Sequence, residues 1–308
     1  MMRQLHSLVG LLVAVLVMVL AISGAILSLD PALERLAATV PAEGRISVAT
    51  LAGRVARHYP VVEQIQRTPS GTILVYFDRD GQVGIDRVDP LTGQGIAPYV
   101  PSEFSRWVKN LHRSFLLDTP GRATAGILAL FMLALAISGS VLLVKRLGGW
   151  RHIAGPLRGT RVQRWHAQVG RVVVFGLLLS ALTGIYMSAV TFGFLSEGVQ
   201  NEPDFPASVA AGPAAPVTAL PALQAVDLND FRELVYPYPD DPSAVYSLST
   251  VQGDGYVDQV SGALLSFLPH DGLRSAYELI HQLHTGEGLW WLGLILGLAA
   301  LSVPLMSV

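Results

Sequence analysis

Apolar positions along this chain gather in four long blocks, 7–29, 122–144, 170–193 and 289–308, with polar stretches between them. Each block is long enough to cross a bilayer as a helix, which takes about 20 apolar residues. The first exceeds the ~7–15 residues of a signal-peptide core and no A-x-A-like cleavage site follows it, so it reads as a retained helix. Two of the connections are long. Thr72–Phe77 and Ala244–Thr250 within them are β-like, and Ser47–His58 and Leu228–Leu234 are helix candidates. The pattern predicts a membrane all-α four-helix bundle carrying two small α+β extracytoplasmic domains.

Charge orients this arrangement. The stretch 145–171 carries Lys145, Arg146, Arg151, Arg158, Arg161, Arg164 and Arg171 with no Asp or Glu, which places it in the cytoplasm by the positive-inside rule. Both termini then lie inside, and 30–111 and 194–280 lie outside. The second outer region is acidic, with Glu197, Asp204, Asp254 and Asp258 among others against only Arg232 and Arg274. Charged residues make up 14% of the chain, well under the ~25% of a soluble domain. Cysteine is absent, which excludes thiolate ligands, disulfides and Cys-ligated iron–sulfur clusters.

The halves repeat. His6-Ser7-Leu8-Val9-Gly10 matches His166-Ala167-Gln168-Val169-Gly170, and eighteen residues past each histidine stands a glycine, in Ala21-Ile22-Ser23-Gly24 and Ala181-Leu182-Thr183-Gly184. The second block repeats Ala-Ile-Ser-Gly at 136–139. In the outer regions Asp89-Pro90-Leu91-Thr92-Gly93 matches Asp258-Gln259-Val260-Ser261-Gly262. Asn201–Pro221, rich in Pro and Ala, reads as a linker with little order.

Histidines stand near an end of each apolar block. Imidazole is a common axial ligand of haem iron, and topology sorts these residues by side. His6 and His166 begin helices one and three inside; His112 and the pair His281/His284 precede helices two and four outside. Opposite faces are roughly 25–30 Å of helix apart at 1.5 Å per residue, so the pairs able to share one metal are His6 with His166, and His112 with His284 or His281. Gly24 and Gly184 fall beside the outer pair and Gly139 beside the inner, where lack of a Cβ permits close approach. Arg113 and Arg171 follow proposed ligands and are candidates to pair with haem propionates. The expectation is two haems b. His281 and His284 are both candidates: His281 matches His112 in distance from the Asp-x-x-x-Gly motif, while Leu283-His284 matches Leu111-His112 and favours His284 as the ligand. Asp118-Thr119-Pro120-Gly121 should break the helix after His112, leaving that residue on a short interfacial helix. His58 and His152 read as solvated, His270 as a remote candidate for a substrate metal, and the five tryptophans as a boundary belt.

Asp89–Gly93, Leu111-His112-Arg113, Arg164–Gly170 and Leu283-His284-Thr285-Gly286, in that order, make the chain resemble the PepSY-associated transmembrane proteins. The resemblance covers essentially the whole chain, though Asp258–Gly262 lacks the family's usual Asp-Pro. It implies two helix–PepSY–helix repeats in the bacterial inner (cytoplasmic) membrane, with the PepSY-like domains periplasmic. It also implies a haem-dependent ferric-siderophore reductase. Electrons would come from FAD or FMN and NAD(P)H on a cytoplasmic flavin reductase module, a partner or a further C-terminal domain, because no flavin or dinucleotide motif occurs here. The expected partners are a ferric siderophore or another periplasmic acceptor and the lipid bilayer, with no nucleic acid. The alternative is a non-enzymatic PepSY-domain anchor or regulator binding a periplasmic protein; a metal-permease accessory is a third.

These readings divide the chain into helix 1 (1–30), a first outer domain (31–104), an interfacial helix with helix 2 (105–147) and the basic loop (148–168). Helix 3 (169–194), the second outer domain with its linker (195–280) and helix 4 (281–308) follow. Helix 4 stops at Val308 inside an apolar run with no basic flank and reads as truncated.

Overall fold

The computed structural model describes residues 1–39, 46–198 and 202–307; the end at Val308 and Asn201 at the head of the expected linker lie outside the described residues. The chain divides into a helical unit (Met1–Leu33, Pro101–Ser196, Tyr277–Val308) and a sheet unit (Glu34–Val100, Glu197–Ala276).

In the helical unit, α1 spans Met2–Leu27 and leads into the short α2 (Asp30–Ala37). After the sheet-unit helix α3 (Val48–Val55), the chain returns as α4 (Glu103–Ser114), α5 (Asp118–Leu147) and α6 (Arg161–Thr191). Ser102 and Thr160 cap α4 and α6 by accepting from the Ser105 and Gln163 N–H groups, and Gly148, left-handed at φ 82°, ends α5. Beyond α7 (Pro221–Ala225) of the sheet unit come α8 (Gly272–Thr285) and α9 (Trp290–Ser307). α1 packs on α5 and α9, and α6 packs on the same two helices.

The chain is therefore not an all-α four-helix bundle. Among the described residues, three helices are individually long and apolar enough to span a bilayer; the fourth apolar block lies in a helix pair bent by 55° between α8 and α9. Gly286 and Gly288, at φ 78° and 74°, sit in that bend. A Cβ at Gly286 would come 2.6 Å from the Gly293 Cα, so the sharp turn needs a residue without one.

The break before α5 also falls earlier than Asp118-Thr119-Pro120-Gly121. Phe115 and Leu116 take left-handed φ angles of 50° and 62° and end α4, while the tetrapeptide forms the first turn of α5. Pro120 is tolerated there because first-turn N–H groups have no helical partner. Gly121 lies directly on the Ser114 carbonyl.

The two long connections expected to form two separate domains do not do so. Their strands are β1 (Val61–Arg67), β2 (Ile73–Arg79), β3 (Gln82–Val88), β4 (Gly95–Pro98), β5 (Phe231–Val235), β6 (Val245–Thr250), β7 (Gly253–Asp258) and β8 (Leu264–Pro269). They make one antiparallel eight-stranded sheet in the order β4-β3-β2-β1-β5-β6-β7-β8. Two four-stranded meanders meet at β1 and β5, where Ile65 opposes Leu234. Both residues are fully buried, in a core with Leu51 and Val55 of α3 and Leu223 of α7. The helix expected over Leu228–Leu234 is instead mostly strand: Phe231 and Leu234 face the core, and the Asp227 carboxylate holds a turn by accepting from the Asn229 N–H at 3.0 Å. The helix of the second repeat is α7, earlier in the chain.

The Asp-x-x-x-Gly turns match in bonding. Gly93 N–H donates to the Asp89 carbonyl at 2.8 Å, and Gly262 N–H to the Asp258 carbonyl at 3.0 Å. Both glycines are left-handed (φ 77° and 67°), one pressed on the α3 backbone at Arg54, the other on Leu220-Pro221 at the start of α7. Burial pushes the Asp258 carboxyl up, but N–H donors from Ser261, Ala210 and Val260 outweigh this and hold it below its ordinary range. The 202–216 stretch lacks regular structure, yet Ala210 and Ala215 donate to the Asp258 carboxylate and the Gln259 carbonyl.

Candidate functional site

Two histidine pairs form within the helical unit. His6 on α1 and His166 on α6 stand with ring centroids 6.3 Å apart and planes at 87°. His112 on α4 and His284 on α8 stand 6.2 Å apart with planes at 43°. Two metal–imidazole bonds of about 2.0 Å, with about 1.1 Å from each bonded nitrogen to its ring centre, bring two imidazoles on one metal to about 6.2 Å.

The surroundings fix the protonation of each ring. His112 Nδ1 lies 3.0 Å from the Leu20 carbonyl, and His166 Nδ1 lies 3.0 Å from the Met306 carbonyl. A carbonyl only accepts, so both Nδ1 atoms carry the proton. Hydroxyls hold the same atoms: Ser23 Oγ is 3.1 Å from His112 Nδ1, Ser138 Oγ 2.8 Å from His6 Nδ1, and Thr183 Oγ1 2.9 Å from His284 Nδ1. Each hydroxyl donates its one proton to a carbonyl of its own helix, Ser23 to Val19 (2.7 Å), Thr183 to Leu179 (2.7 Å) and Ser138 to Leu135 (3.2 Å). Towards the imidazole it can then only accept. The Ser180 carbonyl, three residues before Thr183 as Leu20 is before Ser23, also bonds His284. All four rings thus have Nδ1–H engaged and the Nε2 lone pair free, the arrangement that orients imidazole as a metal ligand.

The glycine after each hydroxyl lets the ring lie on the helix backbone. A Cβ at Gly24 would come 2.9 Å from His112 Cε1, at Gly139 3.3 Å from His6 Cε1, and at Gly184 3.4 Å from His284 Cε1. The Ser/Thr-Gly repeats therefore mark imidazole seats. The repeat pointed to the glycines, whereas the hydroxyls were legible in the same motif and missed.

Other expected residues go elsewhere. His281 faces Glu287, Nδ1 to Oε2 at 3.7 Å, and Tyr277, so it is His284 that stands against His112. The Arg171 guanidinium donates to the Ile153 and Gly155 carbonyls (3.2 and 3.1 Å) and to Gln168, tying the basic loop to α6. Arg113 lines a pocket with Asn110 and Arg122. His270 meets Asp254 at 3.3 Å, joining the end of β8 to β7, while His58 and His152 are exposed.

Among the described residues, no group of three or more His, Cys, Asp or Glu side chains could hold a metal ion. Each pair offers two nitrogens and nothing more, which suits a metal that brings its other donors with it.

A comparison with curated proteins gives no match. The family model for the PepSY-associated TM region matches residues 3–308, taking in both histidine pairs and all eight strands, and the chain, a membrane protein by its apolar helices, belongs to that family.

Proposed function

We propose that the chain is a haem-b electron-transfer protein of the bacterial inner membrane. It takes electrons from a cytoplasmic flavin/NAD(P)H donor and passes them to a periplasmic acceptor, ferric siderophore iron being the one the family likeness favours. Both termini are cytoplasmic in this reading and the sheet unit periplasmic. The observation that carries it is the set of four imidazoles, paired at 6.2 and 6.3 Å with every Nδ1–H engaged by an acceptor.

Haem held by His6 with His166, and by His112 with His284, would supply one-electron transfer. The chain's part is to hold the ligands. Ser138, Ser23, Thr183 and the Leu20 and Met306 carbonyls fix the tautomer and raise imidazole basicity. Gly24, Gly139 and Gly184 leave room for the rings, and the packed residues Val17, Leu128, Leu177 and Val303 exclude water. Transfer of one electron to ferric iron in a hard oxygen chelator yields Fe²⁺, which such chelators hold weakly, so release follows reduction.

An optical spectrum of purified chain, air-oxidised and then dithionite-reduced, tests this reading. Two haems per chain are expected. A chain without a Soret band after expression with ample haem would leave the competing account, a PepSY-domain anchor or regulator that binds a periplasmic protein. In vesicles, a cytoplasmic-face flavin reductase with NAD(P)H should reduce both haems, and ferric siderophore on the other face should reoxidise them. His284→Ala should stop the reoxidation.

A further inference from the structure

The junction of α4 and α5 encloses a pocket lined by Asn110, Arg113, Ser114, Leu116, Asp118 and Arg122. Two guanidiniums face one carboxylate there, and among the described residues neither guanidinium has a hydrogen-bond or ion-pair partner. At 100° per residue, Asn110, Arg113 and Ser114 share one face of α4, and His112 points roughly the opposite way. The pocket is thus turned away from the imidazole pair. It also lies at the other end of α5 from Lys145 and Arg146, so it is no part of the basic loop.

Large apolar side chains are exposed on the elements around it. α4 exposes Phe104 and Trp107, and the pocket edge exposes Leu116 and Leu117, large apolar groups beside two unpaired cations. Aromatic and cationic side chains in this combination sit at the headgroup level of a bilayer. The backbone that shapes the pocket runs through left-handed residues at Phe115, Leu116 and Asp118, a conformation that L side chains rarely adopt.

We propose that this pocket binds the phosphate oxyanion of an anionic phospholipid headgroup, with Arg113 and Arg122 as donors and Asn110 as a polar neighbour. Planar guanidiniums present paired donors that match phosphate oxygens. The acyl chains would lie along Leu116 and Leu117. The proposal stands apart from the haem reading, since it uses neither imidazole pair.

Native mass spectrometry of the full chain in phosphatidylglycerol or phosphatidylcholine nanodiscs tests it. Wild type should retain phosphatidylglycerol in preference to phosphatidylcholine. Arg113→Gln with Arg122→Gln should lower that retention about tenfold or more. Arg151→Gln with Arg158→Gln, in the basic loop, should leave it unchanged. Should the double variant fail to fold, Arg122→Gln alone should still give a severalfold loss. Equal retention by wild type and variant would overturn the proposal, as would equal retention of the two lipids. Displacement of the lipid by millimolar inorganic phosphate would overturn it too, assigning the pocket to a free anion.

Discussion

The two histidine pairs are built from opposite resources. In the His6–His166 pair, the inner one of the proposed topology, both imidazoles belong to long apolar helices, His6 to α1 and His166 to α6. In the His112–His284 pair, the outer one of that topology, both belong to shorter helices, His112 to α4 and His284 to α8, laid against the far ends of those same long helices. α1 and α6 thus serve twice, giving an imidazole at one end and a hydroxyl-glycine seat at the other. The seats differ as well. Both outer rings have a hydroxyl and a carbonyl, whereas His6 has the Ser138 hydroxyl and His166 the Met306 carbonyl. The outer pair is doubly secured in its hydrogen bonds but depends on the docking of short helices. The inner pair is covalently continuous with the membrane frame and singly held.

The largest test of this division is ligand removal. His166→Ala or His6→Ala should halve the haem content and leave the outer spectrum intact; His112→Ala or His284→Ala should do the converse. Loss of both haems from a folded single variant would break the comparison.

Next in size are the glycine seats. Gly24→Ala should displace His112 and deplete the outer haem, because its Cβ would stand at 2.9 Å. Gly184→Ala, at 3.4 Å, should be tolerated, and Gly139→Ala, at 3.3 Å, should shift the inner spectrum slightly. Haem-to-protein ratios read the order directly, and a reversed ranking would show that the rings are not seated as described.

Smaller effects come from the hydroxyls. Removing an acceptor from Nδ1–H weakens the imidazole as a donor to ferric iron, so the midpoint potential should rise. A hydrogen bond of about 1 kcal/mol corresponds to about 40 mV for one electron. Ser138→Ala should show most of this, at the inner haem. Ser23→Ala and Thr183→Ala should show less, since carbonyls remain; redox titration distinguishes them. Smallest of all, His281→Ala should leave haem content and potentials unchanged, as it touches Glu287 rather than His112.

Membrane segments were legible because apolar composition alone determines which segments can lie in a bilayer. The pairing of imidazoles by side followed from helix rise, and the choice between His281 and His284 did not. They are three residues apart on one helix face, and what each meets is a tertiary matter, His112 of α4 for His284 and Glu287 beyond the bend for His281. The single sheet was hidden for a related reason. Each meander reads locally as strands and turns, but the β1–β5 seam joins residues whose sequences say nothing of each other. Leu228–Leu234 misled because Phe231 and Leu234 are spaced to suit a helix face, while in the sheet an irregularity between Phe231 and Glu233 brings both residues to the core. Arg171 looked like a propionate partner by position, yet the loop carbonyls of Ile153 and Gly155 take its donors.

The seam has a bearing on biogenesis. Gln64 and Glu233, bonded across it, are 169 residues apart, and α5 and α6 lie between them in the chain. During synthesis β1 is made long before β5, and its edge waits unpaired while two hydrophobic helices are inserted. An unpaired strand edge is an aggregation hazard, and pairing with β5 closes this one. A chain whose middle helices fail to insert leaves its first meander open, and that exposed edge is what quality-control proteases and chaperones would meet.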